Sequence, residues 1–258
     1  MNDMIYRPLI EDMTWSYSRI ECFNSCRYKF FLRYIKRLPE EEMFYASYGS
    51  FMHKLIEQFC KGKLTKEDML IKYMFYYQKM VKGERPAGNI AQTYMQKGIE
   101  YIQNIQPFPY NVVAVEKEFR FNIGNRPFVG YVDFLGEKDG DYYIIDNKSR
   151  DLKPRSNRKI PTRKDEELDG MLRQLYIYSA AVKQEYGKYP KSLCFNCFKS
   201  GVFIEEPFIE DVFNKTMEWV ESSISSIENE EDFYPSPDYF GCEFICGLKN
   251  ECEYYEMR

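Results

Sequence analysis

The sequence predicts an α/β or α+β fold, with helices packed on one mixed sheet in a single domain over residues 1–258. Three observations lead there. Apolar residues recur at helical spacing up to about residue 106. The pattern then changes to period two over residues 111–148, the signature of strands. It returns through a helix, two short strands and another helix, and no repeat or low-complexity linker interrupts it. Such mixed periods mark a layered fold.

Residues 14–37, TWSYSRIECFNSCRYKFFLRYIKR, read as a helix that Ser16 or Thr14 caps. Ile20, Phe23, Phe30, Phe31, Tyr34 and Ile35 fit the spacing, and a break near Asn24-Ser25-Cys26 makes two shorter helices an equal reading. Residues 48–60 form the next helix, with Phe51, Met52, Leu55, Ile56 and Phe59 in one apolar stripe and His53 and Glu57 together on its flank. Residues 65–81 and 90–105 read as two more, parted by the turn-rich GERPAGN. These segments make a helical elaboration over about residues 40–106.

Strands follow at 111–121, at 127–137 after the turn IGNRP, and at 142–148 after the hairpin turn KDGD. A polar, basic loop runs to about residue 165. Residues 166–186 return to helix, 191–199 and 201–206 read as strands, and 208–228 as a long helix. The tail 233–258 holds Pro235, Pro237, Gly241 and three cysteines, so it is expected to be irregular.

Composition narrows the classes. Hydrophobic residues at 44% and charged residues at 29% are globular values and exclude long disorder. Aromatics reach 17%, including 23 Tyr, enough for a large core with rings to spare for a surface groove. No apolar run approaches the roughly 18 residues of a membrane span, so no membrane partner is expected. The opening MNDMIYRPLIEDM carries acids and no apolar core segment, unlike a secretory signal. Eight cysteines in that setting read as reduced thiols in a cytoplasm, the host's if the chain is phage-encoded. The single histidine, His53, excludes a His-rich zinc site.

The net charge of −4 argues mildly against a nucleic-acid partner, but the charge is uneven. Residues 150–164, RDLKPRSNRKIPTRK, hold seven Lys/Arg and one Asp, whereas 228–232 read ENEED. The basic stretch is either a solvated loop or, through Lys153, Arg155, Arg158, Lys159, Arg163 and Lys164, a contact for DNA phosphates.

The strongest chemical signal is Asp133 followed by Asp146-Asn147-Lys148. Side chains alternate along a strand, so Asp146 and Lys148 share a face. Pairing across KDGD brings Asp133 close to Asp146, and Glu116 or Glu118 can join from the strand before. Converging carboxylates beside a lysine repel one another when buried, and a divalent cation relieves that. Magnesium and manganese take such oxygen ligands and activate water for attack on phosphate. Taken alone, D-x-K is more often a surface ion pair at a strand end. Here an Asp ends the apolar part of each of two adjacent strands, which is where sites are built.

A second constellation is Cys242, Cys246 and Cys252, a compact thiolate cup that needs a fourth ligand. Four cysteines suit zinc or an iron–sulfur cluster. Cys194 and Cys197 form a C-x-x-C on a strand, where that spacing puts them on opposite faces and makes them core residues.

Together these elements resemble the PD-(D/E)XK nuclease superfamily, in the RecB-like branch that includes iron–sulfur exonucleases of CRISPR adaptation and of helicase–nuclease complexes. WSYSRIECFNSCRYKFFLRYI resembles the opening helix with its first cluster cysteine, and YGSFMHKLIEQF the G-x-x-x-H element. VEKEFRF and VGYVDFLGEKDGDYYIIDNKS resemble the E, G-x-x-D and D-x-K elements, RQLYIYSAAV the Q-x-x-x-Y helix, and GCEFICGLKNEC the terminal cysteine cluster. The resemblance implies a restriction-endonuclease-like sheet flanked by helices, with a helical insertion and a C-terminal cysteine clasp. It implies that His53, Asp133, Asp146 and the Asn147 carbonyl hold Mg²⁺ or Mn²⁺, that Lys148 is the catalytic lysine, and that Gln174 and Tyr178 hold Lys148 or the substrate phosphate. Glu116 is an orienting or second-metal acid.

The resemblance also implies a [4Fe–4S] cluster on Cys26, Cys242, Cys246 and Cys252, with Cys22 the alternative to Cys26 and zinc the alternative to iron. The C-x3-C-x5-C spacing departs from the family's C-x2-C-x5-C. The implied activity is metal-dependent DNA cleavage, as an exonuclease on single strands or frayed ends, in recombination, repair, phage replication or CRISPR adaptation. A helicase or CRISPR adaptation proteins are the implied partners. The rival expectation is a non-cleaving or partner-dependent DNA-end-binding subunit or inhibitor. DNA rather than RNA rests on the resemblance alone.

Overall fold

A computed structural model describes residues 6–236 and 238–257. Residues 1–5, part of the segment read as lacking a secretory signal, Pro237 of the tail and Arg258 lie outside the described residues.

A short helix α1, Arg7–Glu11, leads into α2, Tyr17–Ser25, and α3, Arg27–Phe30, which continues as a π turn over Phe31–Ile35. The opening helix is therefore two. Ser16 caps α2 by accepting from the Arg19 amide at 3.3 Å. Cys26 breaks the chain with extended backbone, and its Sγ accepts from the Lys29 amide, capping α3. Next come α4, Phe44–Cys60, α5, Lys66–Met80, and α6, Ile90–Asn104. The sheet begins with β1, Asn111–Ile123, β2, Arg126–Lys138, and β3, Asp141–Lys148. After the basic loop come α7, Arg163–Tyr186, β4, Ser192–Cys197, β5, Val202–Pro207, and α8, Glu210–Glu228. The tail is irregular apart from a π turn at Gly241–Ile245 and 3₁₀ turns at Lys249–Glu251 and Tyr255–Met257.

The five strands lie in sequence order, with β3 and β4 parallel and the other neighbours antiparallel. That one parallel step requires a long crossover, and α7 supplies it. Helix α7 starts three residues earlier than its apolar pattern, because Thr162 and Asp165 form a capping box. It ends at Gly187, whose φ of 82° suits a residue without Cβ. One apolar core joins α7 and α8 to the sheet through Phe119, Phe128, Ile144, Leu175, Phe195 and Ile224. A second, under α4–α6, gathers Met52, Ile56, Tyr73, Tyr77, Ile102 and Phe198. Cys194 and Cys197 fall in different clusters on opposite sheet faces. Among the described residues no helix is long and apolar enough to cross a membrane.

One irregularity positions everything that follows. On β2, Phe128 and Val132 face the α7 core, and Gly130 lies between them against the ring of Tyr178. Beyond Asp133 the order slips by one: Phe134 packs in a separate cluster with Ile145 and Cys194, and Leu135 rejoins the α7 core. On β1 the same slip occurs. Phe119, Phe121 and Ile123 face α7, whereas Val115 packs with Phe134 and Ala114 rejoins the α7 core. The backbone records it at Glu116, whose φ is 52°, a left-handed value rare for a side-chain-bearing residue. The register Val115↔Phe134 and Lys117↔Val132 brackets Glu116 and Asp133, so two neighbouring strands change phase at one level.

Candidate metal centre

The two slipped residues and one helix meet at that level. Helix α4 contacts β1 and β2 and aims His53 at them. His53 Nδ1 lies 3.3 Å from Asp133 Oδ2 and 3.9 Å from Glu116 Oε1. Ligand atoms of His53, Glu116 and Asp133 all lie within 4.8 Å of one another, the span of a small cation site. Glu116, not Glu118, joins the group, because the register sets Glu116 opposite Asp133 and Glu118 opposite Tyr131. Glu118 accepts from the Tyr131 hydroxyl on the exposed side.

Across the β2–β3 junction, Asp133 Oδ2 also accepts from the Asn147 amide at 2.7 Å. The ladder of β2 and β3 ends at Phe134↔Ile145, so this bond spans the point where the strands part. Asp146 and Lys148 point together from β3. Lys148 Nζ is 2.8 Å from Asp146 Oδ2, yet off the direction of a hydrogen bond, so that buried oxygen has no hydrogen-bond partner. Lys148 instead donates to Gln174 Oε1 at 2.8 Å, and Gln174 Nε2 donates to the Tyr178 hydroxyl at 3.1 Å. Gln174 and Tyr178 thus form a brace from α7 to the lysine.

The G-x-x-D spacing has a steric cause. A Cβ on Gly130 would stand 2.5 Å from Cε1 of Tyr178, so only glycine leaves room for that ring. Sequence reasoning missed one further residue. Asn196 of β4, 7% exposed, donates from Nδ2 to Asn147 Oδ1 and to the Tyr101 hydroxyl, both at 2.7 Å. Its signal was present, an amide in the middle of the apolar strand SLCFNC.

Electrostatics agree with the geometry. Burial, and then the charge of Asp146, push the Asp133 carboxyl up to about 7, against the pull of His53. Burial pulls the His53 imidazole down, but the nearby carboxylates of Glu116, Asp133 and Asp146 outweigh it, and the net shift is upward. Burial also drives the Tyr178 hydroxyl up, which keeps it a neutral partner. Like charges crowded in a half-buried site, with an orphaned carboxylate oxygen, fit a hard divalent cation with oxygen ligands.

The basic loop leaves β3 beside Lys148. Arg155 is held by Glu206 and Asp169, and Lys164 by Glu167. Lys153, Arg158, Lys159 and Arg163 are exposed and, among the described residues, carry no ion pair. Asp165 ties the loop down by accepting from the Ser156 and Thr162 amides and hydroxyls.

Cys26, Cys242, Cys246 and Cys252 line one cavity of about 250 Å³ with Tyr28, Leu32 and Leu248. Cys22 is buried in the main core and does not line it. The cavity joins the break between α2 and α3 to the tail, and the Tyr28 hydroxyl donates to Glu253 across the same seam. Burial pushes the Cys246 and Cys252 thiols up.

The PD-(D/E)XK nuclease superfamily matches residues 14–254, and the chain belongs to it. Its mixed five-stranded sheet flanked by helices is the restriction-endonuclease-like arrangement of that superfamily. A crystal structure from Eubacterium rectale, described as a "Putative exonuclease", is similar in fold, with a TM-score of 0.54 and 14% identity over 97% of this chain and 92% of that one. A second solved structure, SSO0001, aligns over 98% of this chain and 97% of its own at 15% identity, with a TM-score of 0.32. Comparison with curated proteins finds no match.

Proposed function

We propose that the protein is a Mg²⁺- or Mn²⁺-dependent deoxyribonuclease acting as an exonuclease on single strands or frayed ends. The observation that carries this reading is that Asp133 comes together with His53 and Glu116 and accepts from the Asn147 amide, in the strand segment where Asp146 and Lys148 form an ion pair. His53, Asp133 and Glu116, which lie within 4.8 Å of one another, would hold the ion from one side, and Asp146 and the Asn147 carbonyl, which fall outside that group, would complete its ligands from β3. A cation held there lowers the pKa of a water and stabilises charge on a phosphate oxygen. Lys148, steadied by Gln174 and Tyr178, orients the attacking water and offsets negative charge building on the phosphate. Lys153, Arg158, Lys159 and Arg163 are the free cations for the DNA backbone, while Arg155 and Lys164 are spent on acids. The exonuclease mode leans on the RecB-like resemblance and on the printed description of the Eubacterium rectale structure.

The cysteine cavity belongs to the same reading, as the seat of a [4Fe–4S] cluster. The support for it is that Cys26, Cys242, Cys246 and Cys252 line one cavity, and zinc on the same four thiols is the alternative. A helicase or CRISPR adaptation proteins are the partners this reading implies.

The test is incubation of purified protein with labelled single- and double-stranded DNA plus Mn²⁺, beside the Lys148→Ala variant. Degradation by the native chain, lost in the variant while its circular dichroism and DNA binding persist, is the expected result. Cleavage undiminished by Lys148→Ala removes the mechanism, and binding without any degradation points to a DNA-end clamp.

A further inference from the structure

A cavity of about 680 Å³ lies between α6, the segment at residues 105–110 and the β4–β5 hairpin. It is of ligand-binding size. Its walls combine rings from Tyr101, Phe108 and Phe203, amides from Asn104, Gln106 and Asn196, and the carboxylates of Glu100 and Glu205. The Phe108 and Phe203 rings stand 6.0 Å apart, and Phe203 is 42% exposed at the rim. The cations at its edge are already neutralised, Lys97 by Glu100 and Lys199 by Asp151. Such a lining offers nothing special to a phosphate. It suits a flat, neutral heterocycle with donors and acceptors on its edge.

Two residues of the cavity wall touch the candidate metal centre. Phe198 lines it and packs edge-on against His53, ring centroids 5.9 Å apart. Asn196 lines it while its Nδ2 grips Asn147, whose amide in turn binds Asp133. Among the described residues no hydrogen bond reaches Asn196 Oδ1. Asn147 and Asn196 are register partners and turn to the α4–α6 face of the sheet, the side from which His53 reaches Asp133, whereas Asp146 and Lys148 alternate to the α7 face. The cavity and the His53–Asp133 half of the site therefore share one face.

We propose that this cavity is a nucleobase subsite, which receives the unpaired base next to the scissile phosphate, with Asn196 joining it to the metal-ligating strand. The proposal rests on the nuclease reading and names what that site takes: a strand whose base is free to leave its stack. Base–aromatic stacking tolerates any sequence, and amides that both donate and accept do not choose one base over another. Paired duplex does not satisfy the subsite until its end frays.

The test is equilibrium binding of a short oligothymidylate in Ca²⁺, with each base replaced in turn by an abasic sugar. The expected result is a loss of about tenfold in affinity at one position only. In Phe203→Ala and in Gln106→Ala, both changed at the rim, that positional penalty shrinks severalfold while affinity for the matching abasic strand stays the same. Equal penalties at every position, or a penalty that survives both substitutions, overturns the subsite. Cleavage of the same oligonucleotides in Mg²⁺ is scored separately. Cleavage with uniform penalties sinks the subsite alone, whereas absence of both binding and cleavage sinks the nuclease reading and the subsite with it.

Discussion

Asp133 and His53 both carry pKa values raised by the fold, and this sets a pH signature. A raised value contributes stability that is full below the unfolded value, about 3.9 for Asp and 6.5 for His, and lost as pH rises through the folded one. Melting of the metal-free protein should therefore fall to lower temperature as pH rises from about 4 to about 7, with the steepest Asp133 change between those two values and the His53 contribution lost above about 6.5. Mg²⁺ competes with those protons, so the rise in melting temperature it gives should be larger at pH 8 than at pH 6. Calorimetry at both pH values, with and without Mg²⁺, checks this, and a shift independent of pH would count against a shared carboxylate site. At this scale the sequence was legible where spacing alone decided. The D-x-K pair could be placed on one face because strand alternation is local. The choice of Glu116 over Glu118 was not legible, since it depends on the exact register of β1 against β2, which alternation along one strand does not announce.

At the scale of elements, α7 acts as a strut between sheet and lysine. Its Tyr178 ring rests on Gly130, and the hydrogen-bonded run Tyr178–Gln174–Lys148 transmits that position to the site. Gly130→Ala should push the ring outward and loosen Lys148. Overpacking of this kind costs about 1–3 kcal/mol, and a misplacement of about 1 Å can cost roughly a hundredfold in rate. The expected outcome is a large fall in kcat with KM little changed, and Tyr178→Phe should share the kinetic defect without the loss of stability. Stopped assays and thermal melts on the two variants separate these effects; wild-type kcat in both would remove the strut. Helix and strand positions were readable here, because amphipathic stripes and turns such as KDGD are local signals. The start of α7 was not, because the Thr162–Asp165 cap lies in a polar stretch without apolar period.

At the scale of the whole molecule, the cysteine cavity ties the first helices to the last residues of the chain. If a cluster is seated there, anaerobically purified protein should show a broad absorption band near roughly 400 nm, with iron in excess of zinc. Cys252→Ser should bleach that band and lower the melting temperature, because a cross-link between distant segments restrains the unfolded chain. Stoichiometric zinc without the band would replace the cluster with a mononuclear site. The order of layers and the mixed sheet were visible in the sequence, since they follow from the succession of periods. The link between the cavity under α6 and the candidate metal centre was not. It runs through Asn196, which reaches Asn147 only because β3 and β4 are parallel and in register, a long-range fact that α7 makes possible.

The shared slip of β1 and β2 has a hereditary consequence. Deleting one residue beside Glu116 while leaving the other strand intact would turn half of β1 inside out, setting Phe119 and Phe121 toward solvent. A compensating deletion near Asp133 would have to arrive in the same lineage before selection removed the first. Drift in chain length should therefore collect in the outer turns, such as Ile123–Arg126, and leave the two inner positions locked to each other.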